Sequence, residues 1–569
     1  MAKNITGNLA FAGYSDIFKS TTKRADGECI VEIPLEEFYP PDYHLFHVFD
    51  DESMTRLSEN TKRYGGVHEP AVNVKNIKKA RGKIMKKFLF LLVLPMLFAA
   101  ACADNNSGTE TDEPVTAGYI INEPEISSEP EIIHDNLPDD LNLDGAVINL
   151  LVQSDEWKAR EFVALEEIGE VVNDAVYRRN IAVEERLNVN LNVIEGPGWE
   201  QWDAMARQIR NSVTAGDNSY DLIAGWSGRV PTLALEDLFL NLFELPHVDM
   251  EKPWWNQSMK RELTLGGSLY FLAGDMTLSM IENCSVFYFN KVIHRDLALP
   301  DLYQAVLDGV WTLDYMFNLT KDIYSDVNGN GIADDGDLFG VILYPLNVAD
   351  GFMQASDIRM ITSDSAGMPE LNIEHEKLSA LVDKVYGLYY ENPGAQVVAQ
   401  NEQLTAPFRN NLILLKPATL SGAIGLRDME SDYGIVPYPK FDEMQENYLT
   451  RVWDALSIMC VPVNADKTEE IGAFMEAMAF ESYQNLTPAY FDIALKGKYT
   501  RDDASSQMLD IVRDGAYMNF ASIYNESIGS PWHMMRTLMN TQSNNFASWY
   551  ERNEGAVTRA LENLIDRVK

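Results

Sequence analysis

The sequence predicts an α/β fold, because apolar strands alternate with amphipathic helices after residue 145. Strand patterns at 146–152, 188–194 and 220–225 alternate with helical patterns at 174–187 and 201–215. Strands separated by helices of this length are typical of a parallel sheet. A hydrophobic content of 46% and 10 tryptophans in 569 residues indicate a globular protein with a large core.

The acidic composition limits the partners of the chain. The net charge is −40, and 14 Lys and Arg against 12 Asp and Glu precede Cys102, so the remaining 32 basic and 74 acidic residues carry about −42. Such a surface repels nucleic acid and anionic lipid headgroups. We therefore expect no nucleic-acid partner.

The stretch from Met85 to Cys102 is typical of a bacterial lipoprotein signal peptide. Two lysines precede an apolar run from Phe88 to Ala101, and three alanines precede the cysteine. The run is shorter than the about 20 apolar residues of a transmembrane helix. We expect residues 85–101 to be removed and Cys102 to be lipidated (palmitate), which would hold the protein at the extracellular face of the membrane. A buried core helix or a single membrane anchor is the alternative.

The flanking segments are predicted to lie outside the main domain. Residues 28–73 resemble the start of a ParB-type partition-protein N-domain, with a short strand, a turn at Pro40-Pro41, an acidic helix and Gly66-Val-His-Glu-Pro-Ala-Val. The Gly-His-Arg-Arg box of that family is absent, so residues 1–84 are interpreted as a truncated fragment that is not part of the mature protein. Residues 102–144 are acidic and rich in Glu-Pro, which predicts a disordered tether.

Several stretches between residues 145 and 520 resemble large clostridial extracellular solute-binding proteins of family 1, the lipoprotein receptors of ABC importers. The stretches, in order, are Gly169–Asn180, Ala182–Val189, Lys252–Gln257, Gly267–Asp275, Phe289–Lys291, Trp311–Asp314, Phe408–Asn410, Tyr433–Glu443 and Thr487–Tyr499. The resemblance implies that residues 145–569 form a two-lobed type 2 periplasmic-binding-protein fold with an interlobe cleft. It places the crossings between lobes near 271–275 and 414–419, and implies a monomer that delivers a sugar or oligosaccharide to permease subunits.

Four residues are predicted to contact the ligand. Trp226 follows the third strand, and ligands bind at the carboxyl ends of strands in such sheets. Asp275 follows a strand at the expected first crossing, and the pair Trp453-Asp454 follows another strand-like segment. Aromatic faces and carboxylates are suited to sugar C–H surfaces and hydroxyl groups. Packing is the alternative role for each tryptophan.

The acidic loop at 326–337 has the spacing of an EF-hand-type calcium loop. Asp326, Asn328, Asn330, Ile332 (through its carbonyl) and Asp337 occupy positions one, three, five, seven and twelve, with glycine at position six. A helix at 311–324 is expected to enter it. We predict a structural Ca²⁺ site, and the alternative is a hydrogen-bonded turn rich in Asn, Asp and Gly.

No catalytic motif favours an enzyme. The sequence lacks paired His-x-x-x-His or Cys-x-x-Cys ligands, a Gly-x-Ser-x-Gly elbow and a phosphate-binding glycine loop. A binding receptor without catalytic residues or a catalytic cofactor is therefore the leading hypothesis. A secreted carbohydrate-active lipoprotein enzyme is the alternative, because the two catalytic carboxylates of a glycosidase lie close in space but at no fixed spacing in the sequence. A partition protein is a third hypothesis, opposed by the charge. Cys284 and Cys460 are expected to be buried free thiols, and a disulfide between them is the alternative.

Overall fold

A computed structural model describes residues 22–23, 29–30, 133–496 and 503–568, with side chains for most of residues 133–568. The chain divides into two units, Met1–Ile126 and Ser127–Lys569. In the first unit, β1 (Thr22–Lys23) pairs antiparallel with β2 (Cys29–Ile30). The predicted signal segment, Cys102, most of the 1–84 fragment and the tether up to residue 132 lie outside the described residues.

The second unit begins with a four-stranded sheet, and the part built on it is called the first lobe. Its strands are β3 (Ala146–Gln153), β4 (Val189–Gly196), β5 (Leu222–Trp226) and β15 (Ser457–Cys460), in the order β15-β5-β3-β4. The three strands predicted from the sequence run parallel, whereas β15 is antiparallel to β5. A strand from residue 457 completes the sheet because its apolar run, Ser457 to Val461, covers the open edge of β5.

The helices of the first lobe form where capping and apolar spacing agree. The Glu170 side chain accepts hydrogen bonds from the first amides of the helix Val171–Leu187, and Asn188 ends it in the left-handed conformation. The π-helical segments of this lobe are Ser482–Leu486 and Ala489–Lys496. The α-helices, in chain order, are α1 (Glu156–Ala159), α2 (Val171–Leu187), α3 (Trp202–Ala215), α4 (Val230–Ala234), α5 (Gln257–Leu263) and, later in the chain, Thr468–Glu481.

A six-stranded sheet forms the second lobe. Its order is β11-β8-β12-β6-β13, with β7 paired to β8. Here β12 runs parallel to β8 and antiparallel to β6. Its strands are β6 (Ser285–Asn290), β7 (Tyr324–Ser325), β8 (Leu338–Leu343), β11 (Ala395–Val397), β12 (Ile413–Thr419) and β13 (Tyr433–Pro437). Two short ladders lie outside both sheets: β9 (Ile361–Ser363) with β10 (Pro369–Leu371), and β14 (Thr450–Arg451) with β16 (Ala516–Tyr517).

Helices cover the second sheet, and the C-terminal part of the chain packs on this lobe. Asp503–Asp514 packs against β13, and Phe546–Val568 packs against the ladder strand β10. The α-helices that follow α6 (Ser279–Glu282) in the described chain are α7 (Lys291–Asp296), α8 (Leu302–Leu307), α9 (Leu313–Thr320), α10 (Asn347–Ala355), α11 (His375–Tyr386), α12 (Thr405–Arg409), α13 (Thr468–Glu481), α14 (Asp503–Asp514), α15 (Phe520–Ile523), α16 (Met534–Asn540) and α17 (Phe546–Val568). Of these, α13 is the helix of the first lobe given above.

Within residues 133–496 and 503–568, two connecting segments run side by side between the lobes, and the chain passes to the second lobe once more between Lys496 and Asp503. Leu272 still pairs with Met459 of the first sheet, and β6 begins at Ser285, so the first connection spans 273–284 and the predicted crossing near 271–275 lies at its start. The second connection spans 438–456, later than predicted. Residues 414–419 belong to β12, in the middle of the second sheet, because β12 pairs with both β6 and β8.

A buried polar cluster ties the two connections together. The carboxylate of Glu161, in the first lobe, accepts hydrogen bonds from the Ser457 hydroxyl at 2.6 Å and from the Ser279 hydroxyl and amide at 2.8 and 3.0 Å. Lys158 Nζ donates to the Ala455 carbonyl at 2.5 Å and to the Ser457 hydroxyl at 3.0 Å. We name these four residues, Lys158, Glu161, Ser279 and Ser457, the hinge cluster. It fixes both connections to one point of the first lobe.

Cys284 and Cys460 are free and buried. Cys284 lies in the first connection and Cys460 in β15. Burial raises the pKa of the Cys284 thiol to about 12. The expectation of two buried thiols is therefore confirmed.

No described helix is both long and apolar enough to pass through a bilayer.

Candidate ligand-binding cleft

The first lobe presents tryptophan rings at one edge of its sheet. Because β3 and β5 run parallel, their carboxyl ends share this edge with the beginning of the antiparallel β15. Trp226 ends β5, and its ring makes edge contacts with Trp199 at 6.4 Å and Trp202 at 6.3 Å between centroids. Trp199 is 48% exposed, so this aromatic cluster has a face open to a ligand.

The second lobe presents a polar cavity at the equivalent edge of its own sheet. The carboxyl ends of β8, β11 and β12 and the start of β6 meet there, as expected for a ligand site of an α/β sheet. The cavity has a volume of about 200 Å³. It is lined by Ser285, Asn347, Val348, Asn401, Leu404, Thr405, Lys416, Pro417, Ala418, Thr419, Gly422, Tyr438, Arg451 and Trp453.

The second connection brings the two edges together. Trp453 lines the polar cavity, and its amide donates to the Asn283 carbonyl of the first connection at 2.9 Å. The next residue, Asp454, accepts a hydrogen bond through its carbonyl from the Ser227 hydroxyl at 2.8 Å, directly after Trp226. The structure therefore brings Trp226, Trp453 and Asp454 close together where the two lobes meet, with Trp453 on the wall of the polar cavity.

Charged groups from three parts of the chain surround Asp454. Its carboxylate has no hydrogen-bond or ion-pair partner within residues 133–496 and 503–568, and its field acts on Lys158, Glu526, His533 and Arg536. Burial, and then the neighbouring Arg536, lower the pKa of His533. An unpaired carboxylate in such a cleft is able to accept hydrogen bonds from ligand hydroxyl groups.

Asp350 at the second-lobe side is neutralised internally. It is fully buried, and Arg536 Nε donates to its Oδ2 at 2.6 Å, while Arg451 Nη2 lies 3.9 Å from the same oxygen. Arg451 Nη1 also donates to the Asn347 carbonyl at 3.0 Å. These contacts fix the position of Arg451, which lines the polar cavity.

Asp275 lies in a different cavity from the one lined by Trp453. This second cavity, of about 750 Å³, is lined by Trp254, Trp255 and Arg513 among others. The Thr487 hydroxyl donates to Asp275 Oδ1 at 3.0 Å, and burial raises the pKa of Asp275 to about 7. The first connection turns away from the cleft at Gly274, where the Asp275 amide bonds to the Trp254 carbonyl.

The acidic loop is held by hydrogen bonds between its own residues. Asp326 accepts from the amides of Gly329 and Gly331 at 2.6 and 2.9 Å, and Asp337 accepts from the Val327 amide at 3.1 Å. The flanking structure differs from the expected helix, which ends at Thr320. A strand pair, β7 with β8, carries the loop instead, because Tyr324 pairs with Phe339.

The loop forms the hydrogen-bonded turn rich in Asn, Asp and Gly, and its residues also keep the spacing of an EF-hand-type calcium loop. Asn328 and Asn330 each accept an amide hydrogen bond through Oδ1 and donate through Nδ2 to Asp334. Within residues 133–496 and 503–568, no group of three or more His, Cys, Asp or Glu is arranged for a metal. The Ca²⁺ site at Asp326, Asn328, Asn330, Ile332 and Asp337, which would also use amide and carbonyl oxygens, stays a prediction.

Sequence reasoning missed several residues of the cleft. Trp199 lies shortly after the end of β4, and Trp226 is the last residue of β5, so the position of Trp199 near a strand end was a usable signal. No such signal exists for Asn347, which opens a helix, or for Lys416, which lies inside the apolar run of β12.

The fold is similar to several solved structures. A cyclo/maltodextrin-binding protein complexed with maltotetraose has 12% identity and a TM-score of 0.47 over 74% of this chain and 96% of that chain. The galacto-N-biose/lacto-N-biose I-binding protein of a Bifidobacterium longum ABC transporter has 12% identity and a TM-score of 0.49 over 74% and 98%. An ABC substrate-binding protein of Listeria monocytogenes in complex with cycloalternan has 14% identity and a TM-score of 0.42 over 75% and 98%. At these values the similarity gives no information about the ligand of this chain. No family model and no curated protein matches the sequence.

Proposed function

We propose that the protein is the substrate-binding receptor of an ABC importer and captures a sugar or oligosaccharide between its lobes. The observation that carries the proposal is the cleft itself. Exposed tryptophan at one sheet edge and a polar cavity at the other meet at Trp453 and Asp454. Two lobes joined by narrow connections are suited to closing on a ligand by a hinge motion.

The chemistry of the cleft matches a carbohydrate. Pyranose rings offer apolar C–H faces that pack on tryptophan, and hydroxyl groups that need several hydrogen-bond partners. The aromatic faces come from Trp199, Trp226 and Trp453, and the polar partners from Asn347, Thr419 and the free carboxylate of Asp454. A few polar groups among aromatic side chains are typical of small-molecule sites.

The location of the protein in the cell is a second part of the proposal, and it rests on the sequence. Lipidation at Cys102 would attach the receptor to the outer face of the membrane, and residues 103–132 would let the lobes reach a permease. The predicted tether is shorter than 102–144, because residues 133–144 pack on the first lobe through buried Leu137 and the ion pair of Asp135 with Arg186. The net charge of −40 supports attachment through lipid instead of basic residues.

Titration of the domain with a glycan panel tests this function. We expect tryptophan fluorescence and calorimetry to report saturable binding without product formation. Trp199→Ala should weaken binding by roughly tenfold, the value of about 1.4 kcal/mol expected for one aromatic contact. Phe243→Ala is the matched control, because Phe243 is also exposed (42%) but lies beyond the opposite end of β15, after the bridge between Phe239 and Pro462.

Two results would contradict the proposal. Turnover of a glycan would favour the carbohydrate-active enzyme. Absence of binding to every glycan in the panel, with the domain folded, would remove the carbohydrate assignment.

A further inference from the structure

The cavity of the second lobe has the opposite charge to the rest of the protein. The chain carries −40 overall, yet the cavity is lined by two cations, Lys416 and Arg451, and by no Asp or Glu. In so acidic a chain, a cavity lined by cations either binds an anionic ligand or loses stability through its unpaired positive charge.

The two cations differ in how they are satisfied. Arg451 bonds to the Asn347 carbonyl and lies near the buried Asp350, as described above. Lys416 has neither a carboxylate partner nor a hydrogen-bond acceptor among the described residues. Its side chain faces the ring of Tyr288, with Nζ 5.5 Å from the centroid. Lys416 is only 3% exposed, and no anionic side chain compensates its charge at the cavity wall.

Burial of an unpaired ammonium group is unfavourable unless something else provides the negative charge. Asp350, the buried carboxylate beside Arg451, is already held by Arg536 and Arg451. The missing partner must therefore come from outside the described chain, and the cavity that Lys416 lines is the place where a ligand would supply it.

We propose that the ligand is an acidic carbohydrate whose anionic oxygens pair with Lys416. This inference rests on the proposed carbohydrate-receptor function and deepens it. The anionic group is a carboxylate of a uronic acid or a sulfate ester, since both present oxygens to an ammonium donor. Asn347 supports the assignment, because it lines the same cavity and its buried Oδ1 has no hydrogen-bond partner among the described residues, so a shift of the side chain would let it accept from a sugar hydroxyl.

The charge state of Lys416 is compatible with this role. Burial lowers its pKa to about 8, so the side chain is mostly protonated at neutral pH. An anionic oxygen at Nζ would form a charge-assisted hydrogen bond, which is about twice as strong as a neutral one.

Calorimetry with three sugars tests the inference. The probes are a trigalacturonate, a sulfated disaccharide and maltotriose, which carry carboxylate, sulfate and no charge. We expect one acidic sugar to bind roughly 10- to 100-fold more tightly than maltotriose, from the 1.5–3 kcal/mol of a hydrogen bond to a charged group. The acid that binds more tightly identifies the anionic group.

Lys416→Met separates recognition from folding. Removal of an unpaired buried charge should leave the domain folded with an equal or higher Tm, while the preference for the acidic sugar is lost. Lys440→Met is the matched control: Lys440 is also a buried lysine of the second lobe, but its Nζ bonds to the Gln445 carbonyl and it does not line the cavity. That variant should keep the preference.

The outcomes distinguish the two proposals. Equal binding of maltotriose and both acidic sugars, or a retained preference in Lys416→Met, overturns the acidic ligand and leaves the carbohydrate receptor standing. Failure of all three sugars and of the whole glycan panel overturns both.

Discussion

The hinge cluster offers the sharpest test of how the lobes are held. Glu161→Gln is isosteric, and a glutamine can keep the hydrogen bonds: Oε1 can accept from the Ser279 amide and hydroxyl, and Nε2 can donate to the Ser457 hydroxyl. The substitution therefore removes the negative charge and little else.

The magnitude follows from the buried cations that this charge compensates. Lys158 is 2% exposed, and burial lowers its pKa to about 8 even though Glu161 raises it. Arg179 is 1% exposed; burial lowers its pKa to about 9, and Glu161 is the charge that opposes this shift. Glu161 acts on both cations through its electric field and not through a direct ion pair, so the loss of about 3–5 kcal/mol that follows when a buried ion pair loses one partner is an upper bound. We expect the free energy of unfolding to fall by more than about 1 kcal/mol and by at most about 5 kcal/mol.

Chemical denaturation of the isolated two-lobed domain, followed by circular dichroism, measures this loss. Glu167→Gln is the matched control, because Glu167 pairs with Arg178 at 2.5 Å while both side chains are exposed. Exposed pairs contribute about 0.2–1 kcal/mol. A decrease below about 1 kcal/mol for Glu161→Gln, equal to the control, would refute the view that Glu161 neutralises the buried cations.

Three further predictions concern pH, calcium and the anchor. Affinity for an acidic sugar should decrease as pH rises from 7 to 9 in calorimetry, because free Lys416 loses its proton near pH 8 whereas the bound anion favours the protonated form; an unchanged affinity would contradict the pairing. Calcium at 100 times Kd should stabilise the domain by about 2.7 kcal/mol in a thermal-shift assay, and Asp326→Asn should abolish the effect; a shift absent from the wild type favours the hydrogen-bonded turn. Mass spectrometry of protein from its host should find a lipid on Cys102 and no residues 1–101, and a mature chain that retains residues 1–84 would refute the predicted processing.

Local sequence pattern was sufficient for the parts of the fold that depend on local structure. The alternation of strands and helices predicted β3, β4 and β5 in parallel, and their direction alone put Trp226 at a sheet edge. Trp453-Asp454 was predicted from the strand-like segment before it; that segment contains only the two-residue β14, and the pair lies in the second connection. These predictions needed only the periodicity of apolar residues and the rule for carboxyl ends.

Pairings between distant residues decided the rest. The apolar run of β12 carries no sign that it pairs with β6, more than 120 residues earlier, so a crossing was expected where a central strand lies. Asp275 was displaced from the cleft by one backbone turn at Gly274. Lys416 is notable only because no carboxylate lies beside it, and the absence of a neighbour becomes visible only when the three-dimensional surroundings are known.

The side-by-side course of the two connections has a mechanical consequence. Two antiparallel segments joined by lateral bonds, such as Cys284 with Val452, form a narrow ribbon. A ribbon flexes readily out of its own plane but resists shearing and in-plane bending. Movement of the two lobes should therefore follow the axis of this ribbon, and distances between spin labels on the two lobes should fall into two narrow populations instead of one broad distribution.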